Sequence, residues 1–307
     1  MAIIELNEHE FLRVRGPDSR KFLQGQLSCN MEMLAPATSL SGALCNLKGR
    51  VIADLRILQC GDECLLQTGA GMAEIVLQTL SRYAVFSKVE LQLEKLAGPC
   101  LGLLDENPQQ WQQLLGGIPE DFNGVLQDAD LALLRIPGCS PRYEAWCLTP
   151  AGRDRVQACA AGSEIRPAGA WQREDVRAGI VHVSPRMSEE YTPQLLNYDI
   201  SGVINFNKGC YTGQEVVARM HYRAKAKQRL YLLHSPAAIS ADSRLQQQLD
   251  GNTRDAEILA YSNDAEANFL LAILDTGMVE GGARFSLAAA PDALLQLVAL
   301  PYFEGSE

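Results

Sequence analysis

Residues 208–215 read Lys-Gly-Cys-Tyr-Thr-Gly-Gln-Glu, a dense set of chemically capable side chains. Thr212 and Glu215 have the spacing of a capping box, and Val216, Val217 and Met220 follow at helical spacing, so a helix is expected to start at about Gly213. Cys210 then stands just before a helix N-terminus. The positive end of the dipole favours a thiolate there, with Lys208 as a second cationic influence. Gly209 and Gly213 flank it and allow close approach of a ligand or partner. The alternative is a Cys210 that packs beneath the turn as a small apolar residue.

Asp54, in Ala53-Asp54-Leu55, reads from the residues alone as an ordinary surface or turn residue. Arg219, His221, Arg223, Lys225, Lys227 and Arg229 place a cation at every second position. If extended, Lys225, Lys227 and Arg229 share one face, either for acidic groups or as a lysine-protected edge strand. Cys60-x-x-x-Cys64 has no matching Cys or His pair, and His9, His182, His221 and His234 are scattered. No stable protein-ligated zinc is therefore expected.

These residues need elements to hold them. Residues 51–60 and 64–68 flank Gly61-Asp62-Glu63 as a hairpin, 72–83 carry a helical apolar stripe, and 88–96 alternate as a half-buried strand. Residues 101–104, 131–136 and 143–148 read as further strands, and 109–115 and 151–161 as helices, the latter opened by Pro150. Hairpins mixed with helices make the body α+β, spanning 1–228, with a second α+β unit at about 97–165. Residues 230–233, 257–261, 268–274, 283–287 and 294–299 are short strand-like runs, so 229–307 is expected to be an antiparallel β-barrel. Gln246-Gln247-Gln248 is too short to count as a low-complexity segment. Neither a G-x-G-x-x-G after a strand nor a G-x-x-x-x-G-K-[ST] occurs, which excludes the common nucleotide-binding loops.

The chain has 307 residues, 47% hydrophobic and 21% charged, enough for a large core without disulfides. Nine cysteines, an odd set without C-x-x-C spacing, point to reduced thiols and a cytoplasmic location. The first residues carry Glu5, Glu8 and Glu10 without an apolar h-region, and no run reaches the ~18 apolar residues of a membrane span. A net charge of −10 argues against direct, sequence-independent nucleic-acid binding.

Residues 206–219 resemble the K-G-C-Y-x-G-Q-E signature of the YgfZ family, folate-binding proteins linked to iron–sulfur enzyme maintenance and tRNA modification and related to the glycine-cleavage T protein. Residues 16–26, 47–50, 83–88, 193–197 and 300–302 resemble further family elements. The resemblance implies a T-protein-like ring of two α+β, ferredoxin-like units plus the C-terminal barrel, around a hole for tetrahydrofolate or a derivative. It implies Cys210 as the key residue, with Lys208 beside it and Asp54 as the acid of the transfer site. Trp171, His9, Arg177, Tyr211, Gln214 and Glu215 are the implied folate-binding positions. His9 stands where relatives carry tryptophan, Arg177 where they carry glutamate, and Ala53 where the T protein has the first of two aspartates. The implied partners are folate and iron–sulfur enzymes or cluster-assembly proteins, with no membrane. The alternatives are a tetrahydrofolate-dependent aminomethyltransferase-like enzyme, and a scaffold whose folate pocket has decayed.

Overall fold

A computed structural model describes residues 2–104, 111–112, 116–223, 226–263 and 267–302. The chain opens with β1 (Ala2–Glu5), β2 (Glu10–Arg15), helix α1 (Ser19–Gln26), β3 (Leu40–Cys45), β4 (Val51–Cys60), β5 (Glu63–Thr68), helix α2 (Ala73–Ser81) and β6 (Glu90–Glu94). An antiparallel sheet forms in the order β3-β4-β5-β2-β6. The β4–β5 hairpin turns at Gly61, whose φ of +61° suits the residue the sequence supplies. The α2 stripe buries Val76 and Leu80 in a core shared with Leu12, Leu44, Ile57 and Leu66.

Next come β7 (Leu101–Leu104), β8 (Val125–Gln127), β9 (Leu131–Arg135), β10 (Arg142–Cys147), helix α3 (Pro150–Ala160), β11 (Glu164–Ile165) and helix α4 (Ala168–Arg177). Thr149 caps α3 by accepting from the Gly152 N–H, with Pro150 in the first turn. The second sheet runs β11-β1-β7-β10-β9-β8. Its second strand in that order, β1, comes from the start of the chain and lies parallel to β11 and antiparallel to β7. The second unit thus draws a strand from outside residues 97–165. Of the helix expected at 109–115, only Trp111 and Gln112 are described, both helical; the rest lies outside the described residues.

After a turn-rich connection follow helix α5 (Gln214–Arg223), β12 (Gln228–Ser235), β13 (Leu245–Leu249), β14 (Asn252–Asn263), β15 (Asn268–Asp275), helix α6 (Thr276–Glu280), β16 (Arg284–Leu287) and β17 (Ala290–Val298). The six strands close into an antiparallel barrel, β12-β15-β14-β13-β16-β17, around Leu233, Leu245, Leu270, Phe285 and Leu295. One barrel strand escapes the sequence reading. The glutamine run is strand β13: Gln247 is buried, and its Oε1 accepts from the Asp275 N–H at 3.0 Å. In the basic run Arg219 to Arg223 are helical, Lys225 lies outside the described residues, and Arg229, on β12, makes two 2.9 Å bonds to Asp199. No helix among the described residues is long and apolar enough to cross a membrane.

Candidate functional site

A cavity of about 650 Å³ opens between the first sheet, the second sheet and the turn-rich connection. Its size falls in the range of small-molecule sites. Strand β4 supplies Asp54, Leu55 and Arg56; β5 gives Gln67, β10 gives Glu144, and the end of α4 with the following loop gives Asp175, Ile180, Val181 and His182.

The loop after α4 is shaped by its sequence. Gly179 takes φ +72°, Gly179 N–H bonds to Val176 O at 3.1 Å, and Ile180 N–H bonds to Asp175 O at 2.9 Å. This is a Schellman end, in which glycine occupies the left-handed position. A β-carbon at Gly179 would stand 2.6 Å from Leu300, so the close packing of the chain end also requires glycine. The turn brings His182 between two carboxylates, with Nδ1 2.8 Å from Asp54 Oδ2 and Nε2 3.7 Å from Asp175 Oδ2. Asp54 Oδ1 accepts from the Val183 N–H at 2.7 Å. Burial alone lowers the His182 pKa, but Asp54 and Asp175 outweigh it and hold the imidazolium well above its usual range.

Behind Asp175 stands fully buried Arg142, its Nη1 2.8 Å from Asp175 Oδ1 and its guanidinium 4.8 Å from the Trp171 ring centroid. Burial pushes the Asp175 carboxyl up, yet Arg142 and His182 bring it below its ordinary value. Trp171 therefore supports the site from behind and does not line the cavity; its ring is pressed on Gly102, where a β-carbon would lie 2.5 Å away. Arg177, also off the cavity, sits 3.4 Å from Glu174 and over the Phe269 ring at 5.8 Å. It turns outward because it follows Asp175 by two residues on the helix, which places it on another face.

His9 lies 3.4 Å from Glu144, whose other oxygen accepts from Trp146 Nε1 at 2.9 Å. Burial alone raises the Glu144 carboxyl; His9, Arg56 and Trp146 overcome this and hold it at about 2. A depressed folded-state value stabilises the fold above the unfolded value near 4.5, and the contribution fades as pH falls toward 2. Glu144→Gln is expected to cost roughly 3 kcal/mol at pH 7, by the ~1.4 kcal/mol per pKa unit conversion, and progressively less below pH ~4. Chemical denaturation of both proteins at pH 7 and pH 3 checks this; an equal difference at both pH values would contradict it.

The 208–215 motif stands apart from the cavity. Lys208 Nζ donates to the carbonyls of Gln24 (2.7 Å), Leu27 (2.5 Å) and Cys29 (2.9 Å), and lies 5.0 Å from the Tyr211 ring centroid. It clamps the C-terminal carbonyls of α1 instead of serving Cys210, because that helix end presents acceptors and a negative dipole. Burial pushes the Lys208 ammonium down to about 8. The expected capping box does not form: Thr212 Oγ1 bonds Gln26 Oε1 at 3.1 Å, and Gln214 Oε1 accepts from the Tyr211 N–H at 3.2 Å. Gly213, at φ +84°, is needed for the turn after β3, since a β-carbon would stand 2.4 Å from Asn46 O. Tyr211 is buried, Glu215 is exposed, and neither they nor Gln214 line the cavity. Cys210 is exposed just before α5, as expected, whereas burial raises the thiols of Cys29 and Cys45 to about 12.

Of the residues singled out from the sequence, Asp54 lines the cavity; Asp175, His182, Arg56 and Glu144 line it too and were not singled out as site residues. The readable signal was Ala178-Gly179, a helix stop that places a histidine three residues beyond it.

No protein-family profile matches the chain. Among solved structures, the glycine cleavage system aminomethyltransferase T from Bartonella henselae is similar with a TM-score of 0.80 and 15% identity, covering 98% of this chain and 86% of that one. Its fold is thus the T-protein fold. A tRNA-modifying protein YgfZ from Colwellia psychrerythraea is 28% identical over 98% of this chain and 93% of its own length. That of Hamiltonella defensa is 30% identical over 77% and 70%, and that of Sodalis glossinidius 32% identical over 78% and 74%. At 30–32% identity over 77–78% of its own length and 70–74% of theirs, the chain belongs to the YgfZ family.

Proposed function

We propose that this protein is a folate-binding accessory factor for tRNA modification that supports iron–sulfur enzymes, with Cys210 as the residue its clients require. The observation that carries the folate assignment is the Asp54–His182–Asp175 cluster on the wall of a 650 Å³ cavity. Three carboxylates, Asp54, Asp175 and Glu144, are balanced by Arg56, Arg142 and the charged His182. A balanced wall suits a neutral, hydrogen-bonding heterocycle better than a polyanion. The carboxylates retain lone pairs for the amino and N–H groups of a reduced pterin, and Leu55, Ile136, Val181 and Tyr198 supply apolar contact. When bound, tetrahydrofolate supplies a one-carbon carrier. The protein's own residues orient it and hold a proton at His182.

The relatives' printed activity supports the tRNA-modification part. The motif is joined mechanically to the cavity: Lys208 bonds the backbone of Cys29, and Cys29 lines the cavity wall. Cys210 is thereby accessible to a partner while its loop is tied to the ligand site. In a deletion strain, Cys210→Ala is expected to fail to restore an iron–sulfur tRNA-modifying enzyme, at normal protein level. Full rescue would remove the role given to Cys210.

A one-carbon transferase acting on an amine donor is the alternative, favoured by the proton-holding Asp54–His182 pair. Turnover of such a donor to methylene-tetrahydrofolate, lost in Asp54→Asn, would select it.

A further inference from the structure

One cluster of donor atoms shares Glu144 with the cavity wall and adds two side chains, His9 and Cys100, that lie outside the cavity. His9 lies in the turn between β1 and β2, Cys100 immediately before β7, and Glu144 on β10. One ligand atom from each, an imidazole nitrogen, a thiol sulfur and a carboxylate oxygen, lies within 4.8 Å of the others. The sheet register brings them together: Gly102 pairs with Glu144, so Cys100, two residues before Gly102 and just ahead of β7, is a diagonal neighbour of Glu144. Leu6 N–H bonds Cys100 O at 2.8 Å and His9 N–H bonds Leu6 O at 3.2 Å, which ties the His9 turn to the Cys100 backbone.

The three donor atoms are close enough to share one metal ion. The 3.4 Å separation of His9 Nε2 and Glu144 Oε1 matches the ~3.3 Å edge of a tetrahedron with bonds of about 2.0–2.1 Å. Cys100 and Glu144 are buried, and the second Glu144 oxygen is fixed by Trp146 Nε1 at 2.9 Å, an outer hydrogen bond of the kind that orients ligating carboxylates. His9 and Cys100 also line a separate cleft of about 640 Å³ with Leu6, Glu10 and Lys95, which provides an entry path and room for a fourth ligand. A thiolate and a carboxylate supply two negative charges toward a divalent ion. The expectation of no zinc rested on sequence spacing; these ligands come from distant segments that only the fold makes neighbours.

We propose that His9, Cys100 and Glu144 bind a divalent cation of borderline softness, zinc by preference, with its fourth position open to the second cleft. Nitrogen, sulfur and oxygen donors together select such an ion over magnesium or calcium. Chelator-stripped full-length protein is titrated with Zn²⁺ alone, and with Co²⁺ as a spectroscopic substitute. One equivalent is expected to bind, with a thiolate-to-cobalt charge-transfer band that persists in Cys210→Ser and disappears in Cys100→Ser. Zn²⁺ is expected to raise the melting temperature of the wild type and of Cys210→Ser but not of His9→Asn. If Cys100→Ser does not fold, as circular dichroism would show, His9→Asn decides, with an affinity loss of about 100-fold or more expected. Absence of binding at high-micromolar metal, a band retained in Cys100→Ser or lost in Cys210→Ser, or undiminished affinity in His9→Asn would overturn the site.

Discussion

Asp54→Asn is expected to weaken tetrahydrofolate binding about 100-fold while leaving the protein folded. Asp54 accepts from the Val183 N–H through one oxygen and from His182 through the other. Asparagine keeps one acceptor but removes the charge that chiefly holds His182 protonated. The sign is definite: a histidine raised above its usual range stabilises the fold below about pH 6.5, and the contribution fades as pH rises through its higher folded-state value. Without Asp54 the imidazole loses its proton at lower pH, and the cavity loses one anion and, near neutrality, one cation. Two altered hydrogen-bonding positions at a ligand account for ~2–3 kcal/mol, hence the factor of 100. Calorimetry across pH 6 to 9 checks both parts, since the wild type is expected to lose affinity with rising pH later than the variant. Equal affinity of the two proteins would remove Asp54 from the site.

The second large effect separates two neighbours in the motif. Lys208→Met removes three charge-assisted hydrogen bonds and leaves the α1 carbonyls of Gln24 and Leu27, and that of Cys29, short of a donor. A loss of about 3 kcal/mol or more in unfolding free energy is expected. Cys210→Ala, at an exposed position, is expected to stay within about 0.5 kcal/mol of wild type. Activity in the deletion strain should nevertheless be lost in Cys210→Ala and follow protein level in Lys208→Met. Denaturant titration beside immunoblotting measures both. A fully stable but inactive Lys208→Met would show that the lysine acts on chemistry and not on the helix end.

Why one half of the motif was legible and the other not is a matter of range. The start of α5 and the exposure of Cys210 follow from local spacing and were anticipated. The acceptors of Lys208 sit at the end of α1, which nothing near residue 208 announces. The same holds for the folds themselves. The β4–β5 hairpin and α2 carry their turn and stripe in a few residues, whereas β1 is defined by pairing with β7, far along the chain. Strand β13 was hidden because its glutamines look like a polar linker until Gln247 finds the Asp275 backbone. At the cavity, Asp54 was singled out through the family resemblance and not from its local sequence. His182 and Asp175 required knowing that Gly179 ends α4 in a left-handed turn beside β4. Trp171 was assigned to ligand contact from the family resemblance; the absence of a side chain at Gly102 lets it pack inward, where it backs Arg142.

Isothermal titration of the purified full-length protein with tetrahydrofolate tests the central claim most directly. One equivalent bound with a micromolar dissociation constant, lost in Asp54→Asn and retained in Cys210→Ala, is the expected result. No heat of binding at high-micromolar ligand, or binding indifferent to Asp54, would contradict it.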